Sequence, residues 1–533
     1  MSGMRRLVIC AVGLTLVAPA LPATLLSQQP ATQQQQVTPY VVGEALPPAA
    51  PGTILLDMTL DEAIATALSS NLDIQTIRLD PRIQSYSLRA ARAAFSPTLN
   101  ANYGYNNSTN QSTSQLDGGE RTTSERQTLN TSLAQTMPWY GGRLSANFNN
   151  SRTETDNSFS TRNPSYSSSL SLNYTQPLLA GFRIDNQRAS LETQEIQGQI
   201  TDLQVDSRIE SITNQVRSAY WSLRATIEQI EIQRRSLAQA ELLLAENRLR
   251  VRLGRMTEIQ VAQAEAQEAS ASQALLNAEI QWRNQEYAFK VLLVGGPDDE
   301  LLYRTVNPVS QPTLVERTVD IPAAVDIALR ERSDIRQQRF QRDISEVNLE
   351  VSSTNTLPTL NLTAGYSLAG VGGDLFDRGE LGGDPVLVQR GGYLDGLQSI
   401  AGFDTPTWNL SLNASYPLGT NSAKANLERS RLQLQQTELN LRRQELAIVT
   451  QVTTAGLTVQ NTFLQLEAAR RSREAAERTA DAELARFGVG VATNYEVTQA
   501  QDALTSARLS ELRAVINYVN AIAQFELVQR VGG

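Results

Sequence analysis

The sequence predicts a mixed α and β membrane protein, a transmembrane β-barrel joined to long α-helical coiled-coil walls, with two structural repeats per chain. Three observations lead there. Blocks of the chain recur at long range, segments with a period of two lie between very long helical stretches, and an amino-terminal export signal precedes a chain with no apolar run long enough to be a membrane-spanning helix. Composition narrows the function. The 533 residues carry 46 Lys and Arg against 55 Asp and Glu, for a formal charge of −9, with no histidine and a single cysteine, Cys10. Nearly every histidine- or thiolate-based metal site and nucleophile is thereby removed. An acidic chain without a basic cluster argues against nucleic acid. Lys290 and Lys424 are the only lysines, so Arg carries the positive charge. Aromatic residues make up 6% and the mean hydropathy is −0.29. That is too polar for a helical membrane protein and too poor in large apolar residues for one thick core, and a thin-walled or elongated body fits it.

Residues 1–23 read as a signal peptide: Arg5 and Arg6 supply the charge, Leu7 to Val17 the apolar stretch, and Ala18-Pro19-Ala20 a small-x-small cleavage site. Cys10 lies too early to be a lipoprotein cysteine, so cleavage leaves a chain without disulfides. Residues 24–56, with Gln33 to Gln36, Pro47, Pro48 and Pro51, read as a flexible or wrapping segment. The first repeat is expected over 57–293, a linker over 294–318 and the second repeat over 319–533.

The duplication is carried by named residues. Leu60, Ala63, Ile64, Ala67 and Leu68 return as Ile321, Ala324, Val325, Ala328 and Leu329, and at the same offset Pro97-Thr98-Leu99-Asn100 returns as Pro358-Thr359-Leu360-Asn361. A second block pairs Gly254, Thr257, Val261, Gln263 and Ala264 with Gly490, Thr493, Val497, Gln499 and Ala500. Helical pattern covers 60–95, 184–250, 257–293, 321–355, 423–487 and 494–529. In the fifth stretch Leu427, Leu434, Leu441 and Ile448 form one heptad series, and Leu432, Leu439 and Leu446 another. The two series lie about 200° apart around the helix. One seam makes a simple coiled coil, whereas two nearly opposite stripes place the helix in a single-layer wall with neighbours on both sides. The first-repeat counterpart is weaker, with Leu191, Val205 and Ile212 against Ile196 and Leu203.

Barrel strands are expected at about 98–176 and 358–416. Leu99, Ala101, Tyr103 and Tyr105 alternate with Asn100, Asn102, Gly104 and Asn106; 360–368, 408–416 and 170–174 alternate likewise. Ten-residue alternating segments with terminal aromatics fit outer-membrane barrel strands. A half-buried antiparallel sheet of a soluble protein would alternate in the same way, and the export signal with the absent apolar helix favours the barrel. Segments 128–136 and 143–150 are further candidates, turning at Trp139-Tyr140-Gly141-Gly142. Each half needs an even strand number to return to one side, and the pattern leans to four in the first repeat and two in the second. Segments 107–127, 151–168 and 370–402 are expected as surface loops.

No catalytic, metal or cofactor-binding residue emerges, and no cofactor is expected; Glu241, Glu246, Glu265 and Glu268 fit solvated helix faces or pairs with Arg. The helical hairpin tips are more informative. Leu253-Gly254-Arg255-Met256-Thr257 and Val489-Gly490-Val491-Ala492-Thr493 each set Gly where a helix stops and Thr where the next is capped. Exposed Leu253, Val489 and Val491 beside them suggest a docking knob for a partner.

Taken in order, the duplicated halves, Pro97 and Pro358 entering a strand, Pro177 in Gln176-Pro177-Leu178 and Pro417 in Tyr416-Pro417-Leu418 leaving one, and the Gly-x-x-Thr tips resemble the TolC-like outer-membrane efflux protein family over about residues 57–530. The resemblance implies a homotrimer: a trimeric β-barrel in the outer membrane, twelve-stranded if each half gives two strands, continued through the periplasm by a helical tunnel. It also implies a periplasmic adaptor (membrane fusion) protein on the hairpin tips and an inner-membrane pump. The family's acidic entrance ring maps onto Glu496, with Gln499 at the next position and Gln260 at the first-repeat equivalent, and Ala492 stands where the family has a basic gate residue. The function expected is a passive outer-membrane duct of a tripartite system exporting small molecules, not an enzyme. Type I protein secretion and a pore-free periplasmic scaffold are the alternatives.

Overall fold

The computed structural model describes residues 45–48, 55–112, 119–379, 383–419 and 421–530. All belong to the unit that begins at Val42. The expected signal peptide, 1–23, and most of the segment to residue 56 lie outside the described residues.

The chain runs β1 (Leu55–Met58), α1 (Leu60–Ser70), α2 (Leu72–Ile77), α3 (Asp80–Ala93), then four strands, β2 (Thr98–Gln111), β3 (Arg121–Thr136), β4 (Arg143–Thr155) and β5 (Ser165–Pro177). Two long helices follow, α4 (Asn186–Arg252) and α5 (Glu258–Leu293), then β6 (Thr305–Pro308). The second repeat is α6 (Ile321–Glu331), α7 (Ser333–Thr354), β7 (Thr359–Gly372), β8 (Leu375–Asp377), β9 (Val386–Gln389), α8 (Tyr393–Ala401), β10 (Pro406–Ser415), α9 (Ser422–Gly488) and α10 (Asn494–Arg530). Helices α4 and α9 have 67 residues each, about 100 Å at 1.5 Å per residue. Asp185 starts α4 by accepting from the Gln187 and Arg188 amides at 2.9 Å, and Asn421 starts α9 by accepting from Lys424 N–H at 2.9 Å.

Four departures from the sequence reading have physical causes. The stretch 60–95 is three helices, and the Asn71 side chain makes the first break: its Oδ1 accepts from Ile74 N–H at 3.1 Å and its Nδ2 donates to Leu292 O at 2.9 Å. Likewise 321–355 divides at Arg332, which is buried and donates to Val528 O at 3.1 Å. Strand β2 runs on to Gln111 and β3 begins at Arg121, β4 runs on to Thr155 and β5 begins at Ser165, so strand enters both segments 107–127 and 151–168. Segment 370–402 holds the end of β7, the paired β8 and β9, and α8. The linker 294–318 is pinned: β6 pairs in parallel with β1, two residues ahead of the expected repeat start. Tyr220 donates to Met58 O at 3.0 Å and accepts from Ser310 N–H at 2.9 Å, while Tyr518 donates to Val315 O at 2.6 Å and accepts from Arg317 N–H at 3.2 Å. One buried tyrosine from each repeat clasps the connection.

Two cores reflect the duplication. In the first, Ala63 and Ala67 of α1 pack with Tyr220, Leu223, Ile227, Phe289 and Leu293; in the second, Ala324 and Ala328 of α6 pack with Ile448, Val452, Val515 and Tyr518. The small alanines at i and i+4 bring the short helices onto the long ones. Contacts between elements give the order of the walls: α3-α4-α7-α9 near the strands and α5-α4-α10-α9 towards the hairpin tips. The six long strands form one antiparallel sheet, β10-β7-β5-β4-β3-β2. The β3–β4 hairpin, expected from segments 128–136 and 143–150, is thus part of the sheet.

Candidate functional site

Both helical hairpins turn by the same chemistry. After α4, Leu253 keeps near-helical backbone angles and Gly254 takes φ +72°, which lets the Arg255 amide donate back to Arg250 O at 2.9 Å. After α9, Gly490 takes φ +82° and Val491 N–H donates to Arg486 O at 2.9 Å. Only glycine occupies this left-handed position without strain. Leu253, Arg255, Val489 and Val491 are exposed around the turns, and Thr257 and Thr493 sit just before α5 and α10.

Gln260 and Glu496 occupy the third positions of α5 and α10, and both side chains fold back onto the preceding threonine. Thr257 N–H donates to Gln260 Oε1 at 3.2 Å. Thr493 donates to Glu496 Oε2 from its amide at 2.6 Å and its hydroxyl at 3.0 Å, while Glu496 N–H donates to Thr493 Oγ1 at 3.3 Å. This is a capping box. Hydrogen bonds from the Thr493 backbone, then from its side chain, hold the Glu496 carboxyl below the ordinary glutamate range. Gln499 is exposed one turn on.

The structure also joins the two tips through residues that the sequence reading did not single out. Asn247 Nδ2 donates to Asn494 Oδ1 at 2.9 Å, with both residues buried. The Arg250 guanidinium lies 4.1 Å from the Phe487 ring centroid and donates to Phe487 O at 3.2 Å. Ala492 packs beside Phe487 with Leu243 and Val497. A polar residue on the buried Ala240, Leu243, Leu244 stripe was the available signal for Asn247. Of the four glutamates read as solvated or paired, Glu246 pairs with Arg250 at 2.5 Å and Glu265 with Arg248 at 2.8 Å.

The sheet register sorts the strands into two unlike faces. One cross-strand row reads Leu99, Leu133, Ala146, Leu172, Tyr366, Trp408, and the next reads Ala101, Thr131, Phe148, Leu170, Leu368, Pro406. On the opposite face one row reads Asn100, Ser132, Asn147, Ser171, Ser367, Thr407, and another includes Ser145, Asn173, Gly365 and Asn409. These middle rows of the polar face hold uncharged hydroxyl and amide groups. An apolar outer band and a polar interior are what a membrane barrel requires. Pro97 and Pro358 immediately precede β2 and β7, Pro177 ends β5, and Pro417 follows β10 by two residues. Proline lacks the N–H that would continue a strand ladder or helix. Among the described residues no helix is long and apolar enough to cross a membrane, and no cluster of acidic or thiol groups could hold a metal ion.

A two-repeat protomer with a two-faced sheet, long paired helices and matched hairpin tips defines an outer-membrane channel fold. The sequence profile of outer membrane efflux proteins matches residues 63–294 and 324–531. The chain belongs to the outer membrane efflux protein family. Similar solved structures include that of CusC, described for its transmembrane channel formation, at 16% identity and TM-score 0.65, covering 90% of this chain and 94% of that one. The Campylobacter jejuni CmeC outer membrane channel aligns at 14% identity and TM-score 0.65, covering 89% and 86%. The open state of the Neisseria gonorrhoeae MtrE outer membrane channel aligns at 20% identity and TM-score 0.59, covering 89% of each. No curated protein matched the sequence.

Proposed function

We propose that three copies of this chain close into a passive duct through the outer membrane and periplasm, exporting small molecules handed over by an inner-membrane pump. The observation that carries this reading is a pair of unpartnered lateral faces. On α9 the Leu427 to Ile448 stripe is packed or half-buried, whereas Leu432, Leu439 and Leu446 remain 65, 55 and 69% exposed. At the other end of the wall, α3 exposes Ile83 and Tyr86, and α5 exposes Leu276, Ile280, Tyr287 and Val291. The sheet ends on the same two sides, with β10 leading to α9 and β2 following α3. Unlike faces on opposite sides suit a head-to-tail ring. Three sheets of six would close an eighteen-stranded barrel, and the family resemblance supports the number three.

The hairpin tips are then the periplasmic end. Apolar Leu253, Val489 and Val491 on rigid, glycine-capped turns suit a groove on an adaptor protein. Aspartate at Leu253 and Val489 should leave the trimer intact yet abolish co-purification with a periplasmic adaptor protein of the same cell, and full retention would remove the tips from docking. The duct itself is tested in planar bilayers: purified trimer should give steady conductance steps. A trimer that inserts without conducting would turn the assignment to a scaffold.

A further inference from the structure

We propose that helix α8, which lies between β7 and β10 in the second repeat, rests on the outside of the barrel and buries its outer face among the acyl chains of the membrane. The proposal rests on the barrel reading above and goes beyond it. Helix α8 contacts β5 and β7, and two glycines of β7 place it on the apolar face. A Cβ on Gly370 would stand 1.9 Å from Gly396 O, and one on Gly372 would stand 2.0 Å from Gly392 O. Both glycines are in register with the face that holds Leu368. The Tyr393 hydroxyl donates to Asn150 Oδ1 at 2.9 Å, and its ring meets Tyr166 edge-on at 6.2 Å.

The helix covers a gap in the apolar band. The row after Ala101 reads Tyr103, Leu129, Asn150, Ser168, Gly370. Its first two members are apolar and exposed, but the last three offer lipid only an amide, a hydroxyl and bare backbone. Helix α8 buries those three, Ser168 to 1% exposure. Gly396 and Ile400 face the sheet, and Leu394, about half a turn from Gly396, is 75% exposed on the opposite side. The helix end adds a second sign. Phe403 occupies the left-handed position (φ +57°) where glycine is usual, accepts that strain, and leaves its ring 60% exposed. Tyr393, Leu394 and Phe403 thus continue the apolar band over its polar gap; Gln398 is exposed beside them, and the exposed Asp395 carboxylate turns back to accept from the Gly392 amide at 2.6 Å. The occupant this continuity selects is lipid.

Single cysteines decide it, because Cys10 is the chain's only cysteine. In a Cys10→Ala background, Leu394→Cys and Phe403→Cys would carry nitroxide labels on purified protein in phospholipid vesicles. Leu410→Cys on the barrel's apolar face and Asp384→Cys before β9 serve as references. Labels at 394 and 403 should be open to oxygen and closed to a water-soluble nickel chelate, with an oxygen-to-nickel ratio close to that at 410 and severalfold above that at 384. Nickel access at 394 and 403 with lipid-like behaviour at 410 would put the helix in water and overturn the proposal alone. Closure to both reagents would mean a protein neighbour covers the face, which also overturns it. Water-like behaviour at 410 would overturn the barrel reading itself.

Discussion

Glu496 combines a local duty with the charge expected at the entrance. Its carboxylate closes the α10 capping box, and Gln260 does the same for α5 with an uncharged amide. The pair supplies its own control. Glu496→Gln should keep the cap and remove three charges from the assembled mouth, so fixed-charge cation preference and multivalent-cation block should fall while thermal stability is unchanged. Reversal potentials under a salt gradient measure this, and identical preference in both proteins would free Glu496 from the entrance. Glu496→Ala should instead fray α10. Because the folded-state pKa is lowered, the cap's contribution is complete above the ordinary glutamate pKa of about 4.3. It is lost as pH falls through the lower folded value. Protection of the Thr493 amide relative to its intrinsic exchange rate should therefore fall in that acid range in wild type and stay constant in Glu496→Gln.

At the scale of elements, glycine and tyrosine positions have distinct duties. Gly490→Val and Gly254→Val force a branched side chain into a left-handed position, costing about 1–2 kcal/mol each. Open space surrounds both glycines, so the damage should stay local to the turn. Gly456 differs: a Cβ there would stand 2.8 Å from Ile321 Cγ1, where α6 meets α9. Gly456→Val should cost roughly 1–3 kcal/mol through overpacking and loosen α6 from the wall. Tyr220→Phe leaves the Ser310 amide without its partner, at about 1–3 kcal/mol, while Met58 O keeps the Val309 N–H at 3.1 Å. Protease sensitivity of 305–318 should rise in that variant, and unchanged cleavage would show that β6 pairing alone holds the linker.

For the whole molecule, assembly and bore are the quantities to measure. Leu439→Asp with Leu446→Asp places charge on the open α9 stripe, while each leucine buried there contributes about 1.5–3 kcal/mol. The double variant should run as a monomer in native mass spectrometry, and a stable trimer would locate the contact elsewhere. Bore follows strand number. Excising β3 and β4 joins β2 to β5 and returns four strands per chain. Conductance should then fall to about half, since cross-section scales with the square of a diameter roughly proportional to strand number. An unchanged value would place the narrowest point in the helical tunnel.

The sequence by itself determined the duplication, the six helical stretches, the six strand sites and the tip turns, because each is written in local periodicity or in a single glycine. It did not show how far the strands run. Asn107, Ser108, Thr109 and Asn110 put polar groups on both faces, so alternation ends while the backbone ladder continues through Gln111. A pattern reports the burial of a face, and a stretch wet on both sides has none to report. Tertiary structure alone decided which α9 stripe is covered within the chain, that Asn247 meets Asn494, that Tyr220 and Tyr518 clasp the linker, and that α8 lies on the sheet. Each joins residues dozens to hundreds of positions apart. Side-chain period says that a surface needs a partner, while the partner's identity is a property of chain topology.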